Sequence, residues 1–265
     1  MFTAAGVIHK ISAGLISVLG ITSIDSELFA LLGRGGNEVA VYSINDYKLL
    51  RHISLPGYKT YSQNNMESCV LRKCLYMSQY LERHVLRLEL ASRSVSTWPV
   101  HGEPYGLSVM QNGNLLVTAR NPNGLIELSA ERGKRVREIS LQNDIEDPWH
   151  SVQLANGQFV VSHSDTLDRV CMVDDDGRVT RSYGAECGSG DGQLNWPNHL
   201  AVDQDSQLIF VSDRQNDRVV VLSPKLEFVR YIIEGSSEPA RLYFDQTTRR
   251  LYVAHSRAGV TVIQF

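Results

Sequence analysis

The sequence is short of cysteine, of long apolar runs and of blocks of like charge, and each shortage removes a class of protein. Cys69, Cys74, Cys171 and Cys187 are the only cysteines in 265 residues. They form no CxxC pair or other zinc-ligand spacing and are too few for a disulfide scaffold in a chain this long. A reducing, cytoplasmic setting is therefore expected. No stretch approaches the ~20 apolar residues that span a bilayer, so no membrane association is expected. The first twenty residues are mildly apolar but carry His9 and Lys10 in their middle, which breaks the charged-then-apolar order of a signal peptide. The 26 basic and 29 acidic residues give a net charge of −3 and are spread along the chain. That pattern argues against a charged tail that binds nucleic acid generically. Neither a Ser/His/Asp arrangement nor a nucleophile elbow is visible.

What is present is a repeat. The clearest unit runs from Pro197 through the apolar stretch ending at Asp203, a polar turn, then Leu208 to Asp213. It continues through a loop into Val219 to Leu222, turns at Ser223-Pro224-Lys225, and ends with residues 227–233. Four short β-rich runs separated by turn residues make one four-stranded meander. The pattern recurs over 239–265, 148–183 and 104–141, and more loosely over 66–99 and 20–55. The residues that end each second strand are Leu32, Ser78, Thr118, Ser162, Ser212 and Ala254, at separations of 46, 40, 44, 50 and 42. A period of ~40 to 50 residues belongs to a propeller blade. Asn112-Gly113, Asn156-Gly157 and Asp176-Gly177 supply the positive φ of tight hairpins. The fold class expected is all-β: one six-bladed β-propeller of four-stranded antiparallel blades, filling residues 1–265. The last unit contains only three strands, so the stretch from Ala5 to Ser12 is expected to pair with it, closing the ring and hiding two sheet edges.

The run Gly188-Ser189-Gly190-Asp191-Gly192-Gln193-Leu194-Asn195-Trp196-Pro197 is followed by His199-Leu200-Ala201-Val202-Asp203, then by Val211-Ser212-Asp213 and Asn216-Asp217-Arg218-Val219. This resembles an NHL repeat, with Asp217 where the family's central histidine stands. The match is strongest in the fourth and fifth units, and the first two fit mainly by spacing. The resemblance implies a family in which most members bind proteins or RNA, notably the C-terminal propellers of tripartite-motif ubiquitin ligases and translational repressors. A few similar propellers are lyases or lactonases. No RING or B-box pattern of cysteine and histidine is present, so no ligase activity is expected of this chain.

In a propeller, the starts of the innermost strands and the loops between second and third strands share one face, the top. Pro104-Tyr105-Gly106, Pro148-Trp149-His150, Pro197-Asn198-His199 and Pro239-Ala240-Arg241 are equivalent, so Gly106, His150, His199 and Arg241 are expected to ring the channel mouth. Two histidines on adjacent blades suit a shared metal, but a catalytic zinc wants three protein ligands, and these positions offer no acidic residue for calcium. No metal and no cofactor are expected. The top-face loops carry Arg34, Arg83, Arg120, Arg169, Arg214, Arg218 and Arg257. Arg169 and Arg218 read as braces between blades, while Arg34, Arg83, Arg120 and Arg214 read as free, since planar bidentate donors suit phosphates and carboxylates. Trp98, Trp149 and Trp196 read as wedges between sheets, Asp203 and Asp213 as turn caps, and Cys69 and Cys74 as buried free thiols across a hairpin. The functional expectation is a monomeric, non-catalytic scaffold that binds an extended or acidic protein or peptide through Arg34, Arg83, Tyr105, Arg120, His150, His199, Arg214 and Arg241. The alternatives are single-stranded RNA on the same face, and a metal-dependent lyase or lactonase using His150 and His199.

Overall fold

The computed structural model describes residues 6–11, 17–33, 37–61, 63–233, 238–256 and 259–265. Arg34 and Arg257 lie outside them. The strands form six antiparallel sheets of four. Blades 1 to 5 are consecutive meanders whose innermost strands are Val18–Ile24, Met66–Cys69, Glu103–Val109, Pro148–Gln153 and Pro197–Val202. Blade 6 takes Pro239–Asp245, Arg250–His255 and Val260–Gln264 from the end of the chain, and Gly6–Ile11 from its start as the outermost strand. Neighbouring innermost strands touch around the whole circle, including that of blade 6 against that of blade 1.

The alternation of the strands explains why the ring holds. Each central strand is apolar on both faces, so each sheet packs against both neighbours, and the buried side chains divide into six clusters, one per blade junction. Trp98 is the wedge expected of it. It is buried against Gly133, where a Cβ would stand 2.1 Å from the indole and where φ is +64°, so only glycine fits.

The innermost strands of blades 1, 3, 4, 5 and 6 carry an irregularity at their start. In blade 3, Pro104 pairs with Ala119 and Gly106 with Thr118, leaving Tyr105 unpaired. Trp149 and Ala240 stand unpaired in the same way. A β-bulge re-aims a side chain, and here it turns one residue up while the next, His150 or Arg241, enters the channel. Proline opens three of these strands because the first position needs no N–H donor. The hydroxyls that mark the repeat meet backbone groups at the starts of the innermost strands. Ser212 Oγ accepts from the His199 N–H at 2.7 Å, Ser78 Oγ from the Asn65 N–H at 2.8 Å, and Ser162 Oγ donates to the carbonyls of His150 and Asn198.

Gly6–Ile11 pairs antiparallel with Val260–Gln264 through five residue pairs, from Gly6 opposite Gln264 to Ile11 opposite Val260. The closure expected from the missing strand is present, with one correction. The strand covers a single edge, that of Val260–Gln264, because the seam between blades 6 and 1 is sealed by side chains like every other junction. Removing residues 1–12 exposes that edge and takes Ile11 out of the junction. Solvent-facing ladder bonds at the low end of their range plus one buried isoleucine amount to roughly 3 kcal/mol, which lowers the melting temperature by roughly 6 to 12 °C for a chain of this size. Thermal melts and light scattering check this; unchanged melting of a monomeric truncated protein contradicts it.

Candidate functional site

The upper channel is closed by buried polar side chains. His150 and His199, from neighbouring blades, stack with ring centroids 3.7 Å apart, and both are buried. His150 Nε2 donates to the Leu107 carbonyl at 2.9 Å, so its proton sits there and Nδ1 carries a lone pair. His199 accepts the Leu242 N–H at Nδ1 (3.4 Å) and turns Nε2 to the Asn65 amide at 2.9 Å. Burial, reinforced by Arg241, holds both rings neutral, His150 down to about 3 and His199 well below the ordinary histidine value. Arg241 crosses above them. It donates to Leu19 O (2.9 Å), Asn198 Oδ1 (2.8 Å), Ala240 O (2.9 Å) and Asn64 O (3.1 Å), tying blades 5, 6 and 1 to the segment before blade 2.

These three residues thus sit inside the ring and not around an open mouth, contrary to expectation. All of their ring nitrogens but His150 Nδ1 meet protein partners, and the two imidazoles face each other instead of aiming at a common point. Among the described residues no group of three or more His, Cys, Asp or Glu is arranged to hold a metal. His163 and His255, at the ends of second strands, face their own sheets, with Nε2 3.5 Å from Cys171 Sγ and 2.8 Å from Thr261 Oγ1 respectively. Burial takes His163 down to about 4, with Arg169 adding to the effect.

The arginines behave differently from the expected free patch. Arg120 is 7% exposed: Nε donates to Pro148 O at 2.9 Å and Nη2 to Asp147 O at 3.0 Å. Its guanidinium carbon lies 4.0 Å from the Tyr105 ring centre and 4.2 Å from that of Trp149, so it is a brace with aromatic faces on it. Arg214 reaches Glu238 at 3.1 Å and lies 5.1 Å from the Trp196 ring centre. Arg83 is exposed, with Glu103 at 3.8 Å. Arg169 and Arg218 are held structurally, but each ties the lead-in segment to its own blade instead of bracing one blade against the next; Arg169 Nη2 donates to Asp144 O at 2.9 Å. Arg218 Nε meets Asp213 Oδ2 at 2.6 Å while its other nitrogens donate to the carbonyls of Ser189 and Gln193. Asp213 also receives the Asn195 N–H at 2.6 Å and Asn216 Nδ2 at 2.8 Å, so the acid, amide and arginine of the repeat motif staple the Gly-rich lead-in to its blade.

An aromatic arc occupies the top face where the arginine patch was expected. Tyr61, Tyr80, Tyr105, Trp149 and Trp196 follow one another across blades 2 to 5, with ring centres 5.4, 5.2, 5.6 and 6.0 Å apart. Four are half-buried and Trp196 is 36% exposed. Trp149 and Trp196 therefore stand on the top face and are not wedges between sheets. Trp149 Nε1 donates to Ser164 Oγ at 2.6 Å, which leaves the ring to line a cleft of about 340 Å³ with Trp196, Asp147, Asp165 and Asp168. Of the arc, sequence reasoning placed only Tyr105 in the site; Tyr80 was legible as the aromatic two residues beyond the Ser78 repeat position. A second cavity of about 340 Å³ opens between Tyr61, Arg214 and Glu238, with Arg241 in its wall.

At the opposite end of the channel a cavity of about 290 Å³ lies beneath His150. Glu67 enters it from blade 2, with Oε1 accepting from the Ser68 N–H at 2.8 Å and from Thr22 Oγ1 at 3.2 Å. Burial pushes its carboxyl up to about 7 against the pull of those two donors.

This geometry defines a six-bladed β-propeller with a closed upper channel, two recesses on the top face and one at the opposite end. No protein-family model matches the chain, and no curated protein matches it. Solved structures do. Virginiamycin B lyase from Staphylococcus aureus is similar at 12% identity over 99% of this chain and all of the other, with a TM-score of 0.69. The β-propeller domain of Myceliophteria thermophila Cps50 (Swd1) is similar at 10% identity over 99% and 100%, with a TM-score of 0.68. The WD40 β-propeller domain of Doa1 is similar at 14% over 99% and 97%, with a TM-score of 0.67. At these identities the likeness is one of fold, shared by a lyase and by WD40 propellers alike.

Proposed function

We propose that this chain is a non-catalytic binding module, with NHL-type blades, whose top face takes an extended peptide along the Tyr61 to Trp196 arc and seats a basic side chain in the cleft beside Trp149 and Trp196. The cleft carries this reading: two indoles with three aspartates beside them, Asp147 in contact with Arg120 (3.3 Å) and Asp165 exposed. Flat aromatic faces attract a cation by ~0.5 to 2 kcal/mol, and aromatic anchors dominate peptide interfaces. The charge of the partner is thus the reverse of the acidic one expected from counting arginines. The NHL-type assignment is supported by the Asp213, Asn216 and Arg218 staple. Single-stranded RNA would also stack on such an arc, but the carboxylates repel phosphates, which supply most of RNA's affinity. The lyase reading has only the stacked histidine pair, in which His150 Nδ1 alone lacks a partner and no third ligand or acid stands beside it among the described residues.

An array of short peptides varying in charge and aromatic content is the test, read alongside a pool of short RNAs. Peptides with lysine or arginine are expected to bind, and Trp196→Ala to weaken them about tenfold, a loss of ~1.4 kcal/mol. Asp165→Lys is expected to weaken them similarly. Preference for acidic peptides or for RNA, or indifference to Trp196→Ala, overturns the reading.

A further inference from the structure

The cavity below the histidine stack has properties that the top-face reading leaves unused. Among the described residues that line it there is no lysine or arginine. Glu67 enters from one side, and Leu200, Leu242 and Val152 form apolar wall. Two of its buried polar groups have atoms with no hydrogen-bond partner: Ser108 Oγ, on a residue 6% exposed, and His150 Nδ1, on a residue 1% exposed. Such orphans cost free energy unless something meets them. Since His150 donates through Nε2, the orphan Nδ1 is a pure acceptor. Among the described residues, the Glu67 carboxyl is the one charged group of a recess otherwise lined by hydrocarbon and by uncharged polar side chains, among them four glutamines. Its mouth is rimmed by Val70 and Leu71, both exposed, at the hairpin of blade 2. A volume of about 290 Å³ lies at the lower end for small-molecule sites, which are apolar recesses with a few placed polar groups.

We propose that this lower recess is a binding site for a small primary ammonium compound with a short hydrocarbon body. Its ammonium meets the Glu67 carboxylate, with Ser108 and His150 in the wall beside it, and its chain lies against Leu200, Leu242 and Val152. An ammonium has three donors and no acceptor, which matches an acceptor-only carboxylate. It also brings the counter-charge that a buried carboxylate lacks. An anion would meet Glu67 with no cation to oppose it. An alcohol of the same length supplies a single donor and no charge.

Calorimetric titration of the whole chain with n-butylammonium, n-butanol and butyrate, above the pH at which Glu67 ionises, tests this. Butylammonium is expected to bind at least about tenfold more tightly than butanol, and butyrate not to bind. Glu67→Gln is expected to erase the preference for the cation. Ser108→Leu, which fills the recess, is expected to abolish binding while leaving the top-face peptide affinity intact; that affinity also reports whether each variant is folded. Equal binding of butanol and butylammonium to the parent protein, or no binding of the cation at millimolar concentration, overturns the proposal without any variant. Such a result leaves the top-face reading standing, since the two recesses share no lining residue.

Discussion

Lowering the pH from 6.5 to 5 is expected to remove up to roughly 4 kcal/mol of folding stability from this protein. The cause is three buried imidazoles. In the unfolded chain each takes its proton near the ordinary value of about 6.5. In the ring, burial holds His150 down to about 3 and His163 to about 4, and depresses His199 in the same sense. Their neutral state therefore contributes stability that is present above about 6.5 and is lost as the pH falls, because the unfolded chain binds protons the native one refuses, at up to ~1.4 kcal/mol per pH unit for each ring. Glu67 acts in the opposite direction. Its folded value of about 7 lies above the unfolded one, so the native state binds that proton more readily and offsets one histidine across the same window. The net uptake on unfolding is about two protons, or ~2.7 kcal/mol per pH unit. Against a typical total of ~5 to 15 kcal/mol, the loss is large. Urea midpoints measured at pH 7, 6.5 and 5 check it, and His163→Gln should flatten the slope by about one proton. Midpoints that do not move over this interval contradict the burial of the histidine pair.

The sequence made the ring legible and the site only in part, and the bulges explain both. Period and turn chemistry depend on local residues, so the blade spacing, the Asn112-Gly113 and Asn156-Gly157 hairpins and the need for a closing strand could all be read along the chain. Which way a side chain points at the start of an innermost strand depends on one unpaired residue. His150 and Trp149 are neighbours, yet the bulge sends one into the channel and the other to the surface. Reading that tripeptide as a rim put the histidines outside. Charge counting failed for a related reason. Arg120 is held by the Pro148 and Asp147 carbonyls of the next blade, a contact 27 and 28 residues away that no local pattern announces. The repeat held the missing information only in part: Tyr105 and Trp149 both follow the proline at the start of an innermost strand, whereas Tyr80 follows a second strand and Trp196 precedes its proline. The lower recess had no such signal, because Glu67, Ser108 and His150 belong to three blades and line one cavity only through the packing of those blades side by side.

Replacing Arg241 with methionine is expected to be the most damaging single change in the channel. The guanidinium is fully enclosed, and burial draws it from the ordinary arginine value down to about 10, so it stays charged at neutral pH. Its donors reach Leu19 O in blade 1, Ala240 O in blade 6, Asn198 Oδ1 in blade 5 and Asn64 O ahead of blade 2, a span that no other side chain type can cover with a planar fork. Methionine matches its apolar stem but leaves these acceptors facing one another without a donor. Each buried orphan costs ~1 to 3 kcal/mol, and relief from burying a guanidinium returns part of that, so a net loss of roughly 4 kcal/mol is expected. For a chain of this length that is a fall of roughly 8 to 16 °C in melting temperature. Lysine keeps the charge and the stem but gathers its donors on one nitrogen, so Arg241→Lys should recover only a minor share. Arg181, exposed on the outermost strand of blade 4, provides the control: Arg181→Met should stay within about 0.5 kcal/mol of the parent. Thermal and urea melts of the three variants decide the matter. If Arg241→Met melts beside Arg181→Met, the ring is held by its six apolar junctions alone and the guanidinium is not its tie.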